Sequence, residues 1–270
     1  MTKKKALLTA GLSLLLVLFV ASAASAQGTN LPTGANGAFV DDAAVLAGLR
    51  GATPAIGSGA LTGKTVCVDP GHGGMDSGAY FAAYDLSESD INLDESYALR
   101  ALLEGAGAAV VMTRTGDQGL TESERAAFCN QAGATIVISI HTNSFVDAEP
   151  NGVLTFYGKR SAAEDVRLAQ AVHDALYPAL RQTAPVPSAF TDFGVRRFGA
   201  GVLRRSSMPG TLVEPAFLSN PAEATLLATP IFTAPGSGAF SKSCPNYACR
   251  RGQIAQGVYR GALAYFTGAG

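Results

Sequence analysis

The 270-residue chain has no tryptophan, four cysteines and three histidines, and lysine almost vanishes after the first five residues (Lys64, Lys159 and Lys242). Arginine is plentiful by contrast, a pattern of genome composition rather than of function. With 20 Lys and Arg against 21 Asp and Glu the formal charge is -1, so the basic footprint of a nucleic-acid binder is lacking and no nucleic-acid partner is expected. Beyond the first 26 residues no apolar run is long enough to cross a bilayer, and no stable membrane insertion is expected from that part of the chain. No pair of cysteines has the C-x-x-C spacing, which excludes a zinc ribbon.

What is present begins at the N-terminus. Lys3, Lys4 and Lys5 precede an apolar, leucine-rich run over 6–20, and Ala24-Ser25-Ala26 supplies small residues before Gln27. This is the pattern of a secretory signal peptide spanning 1–26, and it predicts export to the periplasm or to the extracellular cell wall. The alternative is an uncleaved anchor, for which the run is short. Residues 27–60 are rich in Gly, Ala, Thr, Ser and Pro and read as a low-complexity linker with one short helical stretch over 40–49. Residues 61–270 are long enough for one α/β domain. In an exported chain the cysteines suggest disulfides. Cys244 and Cys249 would staple a small loop, while Cys67 and Cys129 are either a second bridge or two buried thiols, since connectivity does not follow from sequence.

From Leu61 onward strand and helix patterns alternate. Strands are predicted over 64–69, 109–113, 135–141, 153–157 and 210–215, and helices over 87–105, 121–132, 162–180, 221–228 and 253–266. Apolar, two-sided strands between helices predict an α/β fold: a mostly parallel twisted sheet with helices on both faces, in a single catalytic domain. Ligands then bind beyond the carboxyl ends of the strands.

Three of those ends carry side chains suited to a metal site. His72 follows Val68-Asp69-Pro70-Gly71 on a glycine-rich turn, His141 ends Ser139-Ile140-His141, and Glu214 ends Leu212-Val213-Glu214. Two histidines and a carboxylate would leave one position open on a tetrahedral zinc, as hydrolytic sites require. Glu88, at the start of the helix after the first strand, is a third candidate ligand, with Asp85, Asp90 and Glu95 as competitors that spacing does not separate. Glu214, amid Leu212, Val213 and Phe217, is costly to ionise there unless paired or functional, and is the candidate general base. His173 lies mid-helix without metal-ligand spacing and reads as a surface residue. Arg114 and Arg125 read as partners in structural ion pairs, with substrate contact a second possibility for Arg114 at its strand end.

These motifs, in order over about 64–266, resemble the zinc-dependent N-acetylmuramoyl-L-alanine amidases of the amidase 3 family, the cell-wall hydrolases. The matching stretches are Val68 through Gly74 with Asp76 and Gly78; Glu88-Ser89-Asp90-Ile91-Asn92-Leu93; Val111-Met112-Thr113-Arg114; Leu120 through Arg125; Ser139 through Asn143; and Met208-Pro209 leading to Glu214 and Phe217-Leu218-Ser219-Asn220. The resemblance implies zinc held by His72, Glu88 and His141, catalysis by Glu214, and hydrolysis of the amide between the lactyl group of N-acetylmuramic acid and L-alanine of the peptidoglycan stem peptide. It is the resemblance that selects Glu88 from its acidic neighbours. It also implies peptidoglycan as substrate; a monomer is expected, with room for an unidentified activator protein. The alternatives are a wall-binding protein of the same fold with weak or no turnover, and a zinc peptidase or deacetylase acting on another wall bond. Pro215 and Ala216 stand where the family has a small residue and Gly, so a backbone donor near the scissile carbonyl is expected to be missing. The 145–152 gap is too short for an inhibitory helix, and 230–250 reads as a cysteine-containing insertion.

Overall fold

A computed structural model describes residues 59–158 and 163–268. The signal peptide expected over 1–26, and the expected linker up to residue 58 with its short helical stretch, lie outside the described residues. The elements in chain order are β1 (Thr65–Pro70), β2 (Tyr80–Phe81), β3 (Leu86–Ser87), α1 (Glu88–Gly105), β4 (Ala109–Met112), α2 (Glu122–Gln131), β5 (Ile136–Ile140), β6 (Gly152–Tyr157), α3 (Ala163–Gln182), β7 (Thr191–Arg197), α4 (Gly201–Arg205), β8 (Gly210–Glu214), α5 (Pro221–Leu227) and α6 (Arg250–Thr267). Six strands form one sheet in the order β4-β1-β5-β8-β6-β7, and β2 pairs with β3 in a small hairpin.

The sheet is mostly parallel, as the alternation predicts. β4, β1, β5 and β8 run one way. β6 is antiparallel to β8, and β7 follows β6, so these two run the other way. Alternate side chains of each strand go to opposite faces. Val66, Val68, Ile136, Ile138 and Ile140 enter one apolar cluster with residues of α1, α3 and α6. Cys67 and Val137 enter a second cluster with Cys129 of α2 and with Val202 and Leu203 of α4. Helices therefore cover both faces. That burial is what makes the central strands read as continuous apolar runs.

Local chemistry sets the helix starts. Ser87 caps α1 by accepting the Asp90 N–H at 3.2 Å. Thr121 and Glu124 form a reciprocal capping box at the start of α2. Both disulfides are formed: Cys67–Cys129 joins β1 to α2, and Cys244–Cys249 closes the loop before α6. The 230–250 region holds a bridge between Phe232 and Phe240, whose rings pack with Tyr247. The last helix begins at Arg250 rather than 253. Segment 144–151, between β5 and β6, carries no helix.

Candidate metal centre

The parallel registers bring three strand ends to one edge of the sheet, with Pro70 opposite Ile140 and Ile140 opposite Val213. His72, His141 and Glu214 thus emerge together, and α1 starts beside them because the Glu88 N–H donates to Ala79 O at 2.8 Å. Glu88 Oε1 lies 3.1 Å from His72 Nε2 and 3.1 Å from His141 Nδ1. The three donor atoms are within 4.8 Å of one another. Ligand atoms on a tetrahedral zinc with bonds of about 2.0–2.1 Å stand about 3.3 Å apart, so the donor set fits that ion. Asp85, Asp90 and Glu95 are not in the cluster: Asp85 accepts from Tyr80 Oη, Asp90 accepts from Ser87 Oγ, and Glu95 turns into the interior.

The turn is shaped to aim these groups. His72 sits at φ 60°, in the left-handed region that few non-glycine residues adopt, histidine among the more tolerant. Gly71 leaves space for a ligand: a Cβ there would come within 2.4 Å of the His141 ring. Gly78, at φ +65°, has the same role for Glu88, whose Oε2 a Cβ would approach to 2.5 Å.

Hydrogen bonds hold the candidate ligands from behind. His72 Nδ1 is 2.9 Å from Asp76 Oδ2, the carboxylate–histidine pairing that orients an imidazole toward a metal. Glu88 Oε1 accepts from the Thr142 N–H at 3.1 Å, and Oε2 from the Ala79 N–H at 3.0 Å. Asn92 Nδ2 reaches both Glu88 Oε1 and Gly71 O at 3.4 Å, and its Oδ1 accepts from Thr142 Oγ1 at 3.0 Å. Asp76, Asn92 and Thr142 lie in the stretches that carry the family resemblance, but no role was read for any of them from the sequence. Only the His72–Asp76 spacing within the glycine turn could have pointed to one of them.

The electrostatics divide the carboxylates. Burial works to raise the Glu88 carboxyl, yet hydrogen bonds and charge from His141 and His72 carry it well below the usual range. For His72 burial pulls downward, and the hydrogen bonds and charges of Glu88 and Asp76 outweigh it, to about 9. Glu214 goes the opposite way: burial and the charge of Glu88 push it well up, with His72 opposing. Its Oε2 is buried without a hydrogen-bond partner. The two neighbouring carboxyls are thus shifted in opposite directions, Glu88 downward and Glu214 upward.

His173 departs from expectation. It is 3 % exposed, with Nδ1 3.1 Å from Thr155 Oγ1 and Nε2 2.8 Å from Asp192 Oδ1. Its partners lie on β6 and β7, so it is a buried link between α3 and the sheet edge. Arg125 does pair with Asp69, at 2.9 Å. Arg114 does not make an ion pair among the described residues; its hydrogen bonds go to backbone carbonyls.

An α/β sheet that gathers two histidines and a carboxylate able to hold a metal ion, with a second buried carboxyl beside them at the strand ends, has the make-up of a metal-dependent hydrolase site. The sequence pattern of Amidase_3, N-acetylmuramoyl-L-alanine amidase, matches residues 66–239. The chain belongs to this family and is an N-acetylmuramoyl-L-alanine amidase, a hydrolase of peptidoglycan. It is 32% identical over 225 residues to the germination-specific N-acetylmuramoyl-L-alanine amidase of Bacillus subtilis (strain 168), covering 78% of this chain and 83% of that one. It is 30% identical over 248 residues to LytC of the same organism, covering 89% of this chain but 44% of the longer relative. Among solved structures it is similar to an amidase of Clostridium difficile 630, at TM-score 0.63 and 27% identity, covering 77% of this chain and 98% of that one. AmiC2 of Nostoc punctiforme gives TM-score 0.60 and 29% identity, with 78% and 99% covered.

Proposed function

We propose that this amidase is an exported zinc enzyme that cleaves the amide between the lactyl group of N-acetylmuramic acid and L-alanine, with His72, Glu88 and His141 as zinc ligands and Glu214 as the catalytic acid–base. The observation that carries this reading is the convergence of His72 Nε2, Glu88 Oε1 and His141 Nδ1. When bound, zinc supplies Lewis acidity, polarising a carbonyl and lowering the pKa of water to about 7.

The protein groups do the rest. Thr142, Ala79 and Asn92 direct both Glu88 oxygens, and Asp76 fixes the His72 tautomer that leaves Nε2 as an acceptor. Glu214 accepts the proton of the attacking water and returns it to the departing L-alanine amine. Burial and the charge of Glu88 raise this carboxyl, which makes it a stronger base toward the water proton than an ordinary carboxylate, and its conjugate acid can then pass the proton on. Export is supported by the two disulfides, which persist in oxidising compartments, and by the signal-like sequence of 1–26. In the domain layout we propose, 1–26 is removed, 27–60 tethers, and 61–270 carries the chemistry as a monomer. A structural neighbour, CwlD of Clostridioides difficile, was solved with the lipoprotein GerS, so a partner protein is a further element of the proposal.

Substitution tests the assignment. His141→Ala is expected to lose bound zinc and wall hydrolysis together. Glu214→Ala should keep one zinc per chain, measured by metal analysis, and lose turnover by about 10²–10⁴-fold. Wild-type wall cleavage by Glu214→Ala would refute the role given to that residue.

A further inference from the structure

Arg114 and Arg125 are both buried, one just past the end of β4 and the other on α2. Their guanidinium groups converge on the backbone of the turn that carries His72. Arg114 donates from Nε to Pro70 O at 3.0 Å and from Nη2 to Gly71 O at 2.8 Å. Arg125 donates from Nη1 to Pro70 O at 2.6 Å and from Nη2 to His72 O at 2.7 Å. Three consecutive carbonyls are thereby turned inward. Arg114 Nη2 also donates to Ser89 O at 2.8 Å, on the residue after Glu88. One guanidinium therefore joins the backbones of two of the three ligand-bearing segments.

We propose that Arg114, with Arg125, is a positioning residue of the metal centre: its planar fork sets the spacing between the His72 turn and the start of α1, and so the distance between His72 Nε2 and Glu88 Oε1. This rests on the assignment of His72, Glu88 and His141 as metal ligands. The physical case has two parts. A buried guanidinium without a carboxylate contact is costly, and only a full set of charge-assisted hydrogen bonds offsets that cost. All four acceptors of Arg114 are carbonyls, the fourth being Gly116 O at 2.9 Å. Secondly, a positive charge beside a divalent-cation site opposes metal binding. Charge alone would make removal of Arg114 strengthen zinc binding, whereas positioning predicts the reverse. Lysine cannot substitute, because an ammonium is a point donor and lacks the fixed fork.

The test is zinc affinity, measured by competition with a chromogenic chelator, for Arg114→Lys, Arg114→Gln, Arg125→Lys, His141→Ala and a surface control, Arg100→Gln. Arg100 pairs with Glu104 away from the site and should leave affinity unchanged. Arg114→Lys and Arg114→Gln are expected to fold, with both disulfides formed, and to bind zinc at least ten-fold more weakly than wild type. Amide exchange at Gly73, whose N–H donates to Asp76 O, should quicken in the metal-free variants. Wild-type zinc affinity in both Arg114 variants, whatever their stability, would overturn the proposal. If neither Arg114 variant folds, Arg125→Lys is read by the same criterion, since it shares the Pro70 carbonyl. His141→Ala separates the two ideas: if it too binds zinc like wild type, the ligand assignment fails, and if it alone loses zinc, only the positioning role fails.

Discussion

Gly71 presents the residue-scale question most sharply, because its backbone needs no positive φ and its role is purely one of space. A Cβ 2.4 Å from the His141 ring cannot be accommodated unless the imidazole moves. Gly71→Ala is therefore expected to weaken zinc binding at least ten-fold while secondary structure, followed by circular dichroism, is retained. Asp69 raises a stability question. It is buried, which works to raise its carboxyl, but Arg125, Thr113 and Ser139 outweigh burial and hold it below the ordinary value. A carboxylate depressed in the folded state contributes stability that is full above its unfolded pKa of about 3.9 and is lost as pH falls through the folded value. Wild-type thermal stability should thus fall steeply below about pH 4. Asp69→Asn, which leaves the Arg125 guanidinium without its partner, should cost about 3–5 kcal/mol at neutral pH and flatten the acid dependence. At this scale the strand-end positions of His72, His141 and Glu214 were legible because a polar residue closing an apolar run is conspicuous. Glu88 was not separable from Asp85, Asp90 and Glu95 by spacing, since the choice depends on how the β2–β3 hairpin delivers the start of α1. The pairing of Asp76 with His72 was hidden for a similar reason: it is defined by a turn with His72 at positive φ, which no periodicity encodes.

Elements are tied to the site by covalent links as well as by packing. Cys67–Cys129 closes a 62-residue separation and fastens β1, which leads to the His72 turn, to α2, which carries Arg125. Loop-closure entropy for such a span is worth about 4 kcal/mol, against about 2 kcal/mol for the five-residue Cys244–Cys249 loop. The double substitution Cys67→Ser/Cys129→Ser should lower the urea midpoint roughly twice as much as Cys244→Ser/Cys249→Ser. Equal losses would mean that strain or residual structure dominates over loop length. The three central parallel strands, β1, β5 and β8, were readable because burial on both faces leaves them mostly apolar. β7 was not: an edge strand with Asp192, Arg196 and Arg197 looks like a loop in sequence. With β7 missed, Asp192 was unavailable as a partner, and His173 read as exposed. The two-residue strands of the hairpin are too short to register any alternation. The reversed direction of β6 depends on the path of the 144–151 connection, which side-chain patterning leaves unspecified.

On the scale of the whole molecule, the fold converts a linear order of motifs into a convergent set of donors, and the family relation gives that set its substrate. An N-acetylmuramoyl-L-alanine amidase leaves glycan strands intact and frees stem peptides, whereas a peptidase or deacetylase with the same ligands would leave different ends. The most direct measurement is mass spectrometry of purified sacculi digested by zinc-loaded wild-type protein and by Glu214→Ala carrying the same zinc content. The expected result is stem peptides with a new L-alanine amine and uncut glycan for the wild type, and no released peptide for Glu214→Ala. Released peptide from Glu214→Ala at the wild-type rate, or product ends at any other wall bond, would contradict the assignment of site and reaction.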